Sequence, residues 1–213
     1  MQLHFKLLLH TFFFYFSAIS SLNTIYAQPQ FSNTERFFNG KDFEHWVEPD
    51  ENIWWSITKE GELLAKSDPQ QKGSTLWTKE VYTDFEMQLE FKMGSGTVDS
   101  GIFIRGENQE NPQIQIGESG SLKRDMTASP YVPSKGYPQE AVGIKQLLKP
   151  KTWNTLTIKA LKNRTWVWLN GEAVLDFTME NANLKGPLGL QLHPNREMDI
   201  AFRNIFFRKN NNP

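Results

Sequence analysis

The sequence contains no cysteine. That excludes disulfides, thiolate metal sites and a lipid-modified N-terminal cysteine. Histidine is almost as scarce: beyond Ala27 there are only His45 and His193, so a zinc site built on imidazoles is not expected. Neither sign of charge dominates, with 23 Lys+Arg against 24 Asp+Glu and a formal net charge of −1. No polycation for nucleic acid and no basic patch for a membrane surface is present. No apolar run reaches the ~20 residues of a membrane span. Amphipathic helical periodicity is missing as well. The nearest approach to a helical turn is segment 141–149, with Val142, Ile144, Leu147 and Leu148.

What is present begins at the N-terminus. Lys6 is followed by Leu7-Leu8-Leu9 and Phe12-Phe13-Phe14-Tyr15-Phe16, then by small and polar residues ending at Ala27. A basic start, a short apolar middle and a small residue at the cut are the layout of a secretory signal peptide. Residues 1–27 are read as that peptide, 28–209 as a single domain and 210–213 as a fraying tail. Cleavage leaves no membrane span. With no disulfides in an exported chain, a bacterial periplasm or secretion is the expected location.

The mature part alternates apolar and polar residues with period two. Glu86-Met87-Gln88-Leu89-Glu90-Phe91-Lys92-Met93 does so without a break, and Thr155–Ala160 and Gly189–His193 follow suit. Period two puts one face in a core and the other towards solvent or a ligand. Asn170-Gly171 between Trp166–Leu169 and Ala173–Leu175 marks a tight hairpin, because both residues tolerate positive φ. Residues 152–178 therefore read as a three-strand meander. The fold class is all-β: a two-sheet antiparallel sandwich or jelly roll. Residues 117–152 break the pattern and read as a long loop packed over one sheet face. Trp166 and Trp168 share a face that is expected to point inward, while Trp54 and Trp55 must split between faces.

Several motifs, taken in order, resemble the 3-keto-disaccharide hydrolase domain family. They are Phe37-Phe38-Asn39-Gly40-Lys41-Asp42-Phe43 with Trp46, Asp99-Ser100-Gly101-Ile102-Phe103-Ile104-Arg105-Gly106, Gln113-Ile114-Gln115-Ile116, and Ser119-Gly120-Ser121-Leu122. Further along come Trp153-Asn154-Thr155, Val167-Trp168-Leu169-Asn170-Gly171, Gly186–His193 and Phe202-Arg203-Asn204-Ile205. The resemblance spans nearly the whole mature chain. It implies a concanavalin-like jelly roll acting on a glycoside or oligosaccharide already oxidised to a ketone at sugar C3. Such a reaction needs a base for the C2 proton, donors or a cation for the enolate, and an acid for the group leaving C1. It does not need the paired carboxylates of an ordinary glycosidase.

Candidates for these roles are few. His193 ends a strand and shares its polar face with Gln191, opposite Leu190 and Leu192. Arg105 falls in phase with Phe103, and its planar fork suits a ketone or enolate oxygen. Glu118 is the candidate carboxylate, because Gln113 stands where the family pattern commonly carries Glu. Gln113, Gln115, Gln191, Lys123 and Asp99 are the expected substrate-binding residues. No cofactor is identified from the sequence, and an oxygen-ligated Ca²⁺ or Mg²⁺ drawn from Asp99, Glu118 or loop carbonyls is an open alternative. Two other readings stay open: a non-catalytic carbohydrate-binding module on the same sandwich and a structural adhesion domain.

Overall fold

The structure, a computed structural model, describes residues 27–108 and 110–210. The segment expected to be a signal peptide, up to Tyr26, and the last three residues of the expected tail therefore lie outside the described residues. Among the described residues thirteen strands form: β1 (Trp46–Val47), β2 (Trp55–Ile57), β3 (Leu63–Lys66), β4 (Ser74–Thr78), β5 (Phe85–Gly96), β6 (Asp99–Phe103), β7 (Gln113–Gly117), β8 (Pro130–Tyr131), β9 (Asn154–Leu161), β10 (Arg164–Leu169), β11 (Glu172–Thr178), β12 (Gly189–Leu192) and β13 (Met198–Lys209). The one α-helical turn among the described residues, α1 (Ile144–Leu147), falls inside segment 141–149.

The strands build two sheets, in the orders β1-β4-β12-β6-β7-β8 and β11-β10-β9-β5-β13-β3-β2. Every strand pair is antiparallel. The all-β sandwich read from the alternation is what forms. The core lies between the sheets, where Leu76, Ile102, Ile114, Ile116, Leu190 and Leu192 meet Phe85, Met87, Leu89, Phe91, Leu156, Ile158 and Phe202. The meander over 152–178 forms as β9–β10–β11, and its Asn170-Gly171 turn has φ of 52° and 96°.

Two details depart from the sequence reading. Trp166 and Trp168 are buried, at 6% and 3% exposure, but neither joins the core, which takes Val167 and Leu169 from the same strand. Their face is the outer one of the seven-stranded sheet. There Gln28 reaches Thr157, the cross-strand partner of Trp168, and the Arg164 guanidinium lies over the Trp166 ring. The second departure is Asn210, placed in the tail by sequence, whose amide donates to the Asp84 carbonyl.

Candidate functional site

Because Ile114, Ile116, Leu190 and Leu192 point into the core, Gln113, Gln115 and Gln191 must stand on the opposite face of the six-stranded sheet. There they floor a cleft of about 490 Å³ with Asp99 and His193, walled by Ser119–Ser121, Lys123, Tyr131, Tyr137 and the turn Pro194–Arg196. This is a size that holds a sugar. Other depressions of similar volume exist, but one typical case is lined by Asp68, whose oxygens are already taken by the Trp54 indole and the Gln70 and Lys72 amides.

Two glycines shape the floor. Gly101 lies between Gln115 and Gln191 in cross-strand register. Gln113 lies across it, and Gln113 Nε2 donates to Gln191 Oε1. A Cβ at position 101 would sit 2.3 Å from Gln113 Nε2 and 2.7 Å from its Cγ. Gly101→Ala is therefore expected to fold at a cost of about 1–3 kcal/mol while pushing Gln113 off Gln191. Loss of that fixed floor should weaken glycoside binding roughly tenfold, which calorimetric titration reads directly.

Asp99 is buried. Its Oδ1 accepts from Gln115 Nε2 at 2.8 Å. Its Oδ2 has no hydrogen bond; Arg196 Nε stands 3.5 Å away as an ion-pair partner outside hydrogen-bonding geometry. A Cβ at Gly120 would come within 3.0 Å of that oxygen, so the glycine packs close over it at the cleft wall. A buried acceptor of this kind calls for a donor, and a sugar hydroxyl is one.

His193 Nδ1 lies 2.6 Å from the Pro194 carbonyl. A carbonyl only accepts, so Nδ1 carries the proton and, in the neutral ring, Nε2 presents a lone pair. No partner holds Nε2 among the described residues. The turn behind it is fixed: Asn195 N donates to the Gln71 carbonyl, and a Cβ on Gly73 would meet the Leu192 oxygen and Pro194 nitrogen at 2.6 Å. Tyr131 and Tyr137 pack with ring centroids 5.2 Å apart. Burial pushes the Tyr137 phenol up to about 12, so it stays a hydroxyl donor at neutral pH. The lining side chains carry one carboxylate, Asp99, and two fixed cations, Lys123 and Arg196.

The structure thus brings together His193, Gln113, Gln115, Gln191, Lys123 and Asp99. It does not bring in Arg105 or Glu118. Arg105 has φ of 59°, which takes it out of phase with Phe103. Its buried guanidinium donates to the carbonyls of Thr83 and Lys162, each at 2.5 Å, and pairs with Asp84 at 3.2 Å. Burial lowers its pKa from the ordinary arginine value and Asp84 opposes the shift. Arg105, expected as a reaction residue, is therefore a structural tie between the segment before β5 and the β9–β10 turn. Glu118 follows Gly117, whose φ of 90° ends the alternation. Its backbone bridges to Asp125 and donates to the Val98 carbonyl, and the residue is absent from the cleft wall. Among the described residues no group of three or more His, Cys, Asp or Glu is arranged around a common point. Tyr131, Tyr137, Asn195 and Arg196 were missed. The two tyrosines signalled only that the loop packs, and nothing in period two points to residues of a turn.

Residues 33–208 match a family described as the 3-keto-alpha-glucoside-1,2-lyase-like domain. The chain belongs to this family. No curated protein is similar enough to match. Among solved structures, a candidate glycosyl hydrolase from Parabacteroides distasonis is 25% identical, with a TM-score of 0.62 over 82% of this chain and 98% of that one. The β-glucanase of Bacillus licheniformis is 14% identical, with a TM-score of 0.60 over 82% and 96%. The carbohydrate-binding module CBM66 of Bacillus subtilis is 17% identical, with a TM-score of 0.51 over 73% and 91%. The last two share the fold, the concanavalin-like jelly roll, and family membership makes this a carbohydrate-active protein.

Proposed function

We propose that the protein cleaves 3-keto-glycosides by elimination across sugar C1 and C2. The observation that carries this reading is the uncommitted Nε2 of His193, in a cleft whose two fixed cations outnumber its one carboxylate. A ketone at C3 acidifies the hydrogen on C2. Nε2 takes that proton, and the C–H pair moves into an enolate on O3. Lys123 and Arg196 supply the positive field that holds the enolate. Collapse of the enolate forms the C1–C2 double bond and expels the C1 oxygen with its bonding pair. The imidazolium returns the proton to that oxygen, so the products are a free aglycone and an unsaturated 3-keto sugar. Water adding across the double bond would give net hydrolysis. Gln113 Oε1, Gln115 Oε1 and Gln191 Nε2, which have no partners among the described residues, serve the sugar hydroxyls.

A second reading has its own support. Three of the floor residues are neutral carboxamides, and Gln113 occupies a common carboxylate position, which favours a carbohydrate-binding module. Incubating the purified protein with a 3-keto-glucoside separates the two. The enzyme reading expects aglycone release above the buffer rate; sugar binding without release, with or without added Ca²⁺ or Mg²⁺, would establish the module. The signal-like N-terminus supports a periplasmic or secreted location. Among the described residues no helix is long and apolar enough to cross a membrane.

A further inference from the structure

The cleft floor continues into an apolar row that the reaction above does not use. In cross-strand register, Val47 stands opposite Trp77, Trp77 opposite Gly189, Gly189 opposite Phe103, Phe103 opposite Gln113, and Gln113 opposite Tyr131. Gln113 and Tyr131 belong to the cleft. The other members share its sheet face, since Trp46, Leu76, Ile102 and Leu190 take the core side.

Gly189 makes the row flat. A Cβ there would lie 2.6 Å from Trp77 Cζ3 and 2.7 Å from its Cε3. The indole therefore lies down on the glycine backbone, with one ring face against the sheet. Its edge meets Phe103, with ring centroids 5.2 Å apart and planes inclined at 31°. Trp77 is half-buried, and Val47 beside it is 51% exposed. Phe103 is itself buried, at 5% exposure, so it backs the indole, and the accessible part of the row is Trp77 and Val47. Gln191 is cross-strand partner to Thr75, so Trp77 is its diagonal neighbour at roughly 7–8 Å. A ring joined through one oxygen to a sugar held at Gln191 spans that distance.

We propose that Trp77, backed by the buried Phe103 ring, forms a subsite for an aromatic aglycone, which makes aryl glucosides oxidised at C3 the substrate class. The inference rests on the reading that a sugar occupies the cleft. The occupant is aromatic rather than a second sugar because the row between Val47 and Gln113 carries no polar side-chain group except the Trp77 indole N–H. A pyranose there would leave its hydroxyls without protein partners, whereas an aryl ring needs only an apolar face to stack on.

Binding of unoxidised phenyl, methyl and disaccharide glucosides, measured by calorimetry, tests this without turnover. Phenyl glucoside should bind about tenfold more tightly than methyl glucoside. Trp77→Leu should abolish that preference and Trp77→Phe should keep part of it, with methyl glucoside affinity unchanged in both. Thermal melts identify a variant that has merely lost its fold, in which case the Phe variant carries the test. Equal binding of phenyl and methyl glucosides to the native protein would overturn the subsite and leave the sugar cleft standing. A disaccharide bound more tightly than phenyl glucoside, with that gain lost in Trp77→Leu, would overturn the aromatic occupant. Failure of all three to bind would remove the cleft reading and the subsite with it.

Discussion

His193→Gln should slow aglycone release from a 3-keto-glucoside about 10³-fold, within the 10²–10⁴ that a positioned general base contributes. That factor corresponds to about 4 kcal/mol of barrier. Glutamine fills similar space and can still donate to the Pro194 carbonyl, but it cannot take up a proton from carbon. Substrate affinity should change little, because the floor glutamines, Asp99 Oδ2 and the two cations are untouched. The split between a lost kcat and a retained KM is the informative readout. A loss below tenfold would assign the proton transfer to another group, and Asp99, buried with one free oxygen, would be the next to replace.

Arg105→Met should produce the largest loss of stability of any single substitution outside the hydrophobic core. The native guanidinium is buried and satisfies two backbone carbonyls and one carboxylate. Methionine fills part of the volume and leaves the Thr83 and Lys162 carbonyls without a donor, and Asp84 without its counter-ion. Breaking a buried charge network in this way costs about 3–5 kcal/mol, or on the order of 10 °C in Tm for a domain of this size. Because Arg105 does not line the cleft, turnover per folded molecule should stay native. A stable variant with lost turnover would return Arg105 to the reaction.

The contrast between these two residues shows what period two can and cannot reveal. Gln113, Gln115, Gln191 and His193 were legible because each sits in an unbroken strand, or one step past it, where alternation fixes the face. Arg105 was in phase on paper, whereas Glu118 was named only as an acid at the start of the loop. A positive φ at Arg105, rare for a residue with a Cβ, turned that side chain off its expected face, and the positive φ at Gly117 ended the strand before Glu118. The tryptophans failed for a different reason. Alternation says that Trp166 and Trp168 share a face, but not which face. The N-terminal segment that reaches this outer face is far away in sequence, with Gln28 bonded to Thr157 across 129 positions. The aromatic row was illegible for the same reason, since it exists only as cross-strand register.

The most direct test of the central claim is the fate of the C2 hydrogen. A 3-keto-glucoside carrying protium at C2 is cleaved in heavy water, beside an enzyme-free control. Abstraction by His193 followed by elimination predicts a sugar product that is either unsaturated between C1 and C2 or, once water has added, deuterated at C2. Both products should fall with aglycone release in His193→Gln. Aglycone released together with a saturated sugar that keeps its original C2 protium would contradict the account.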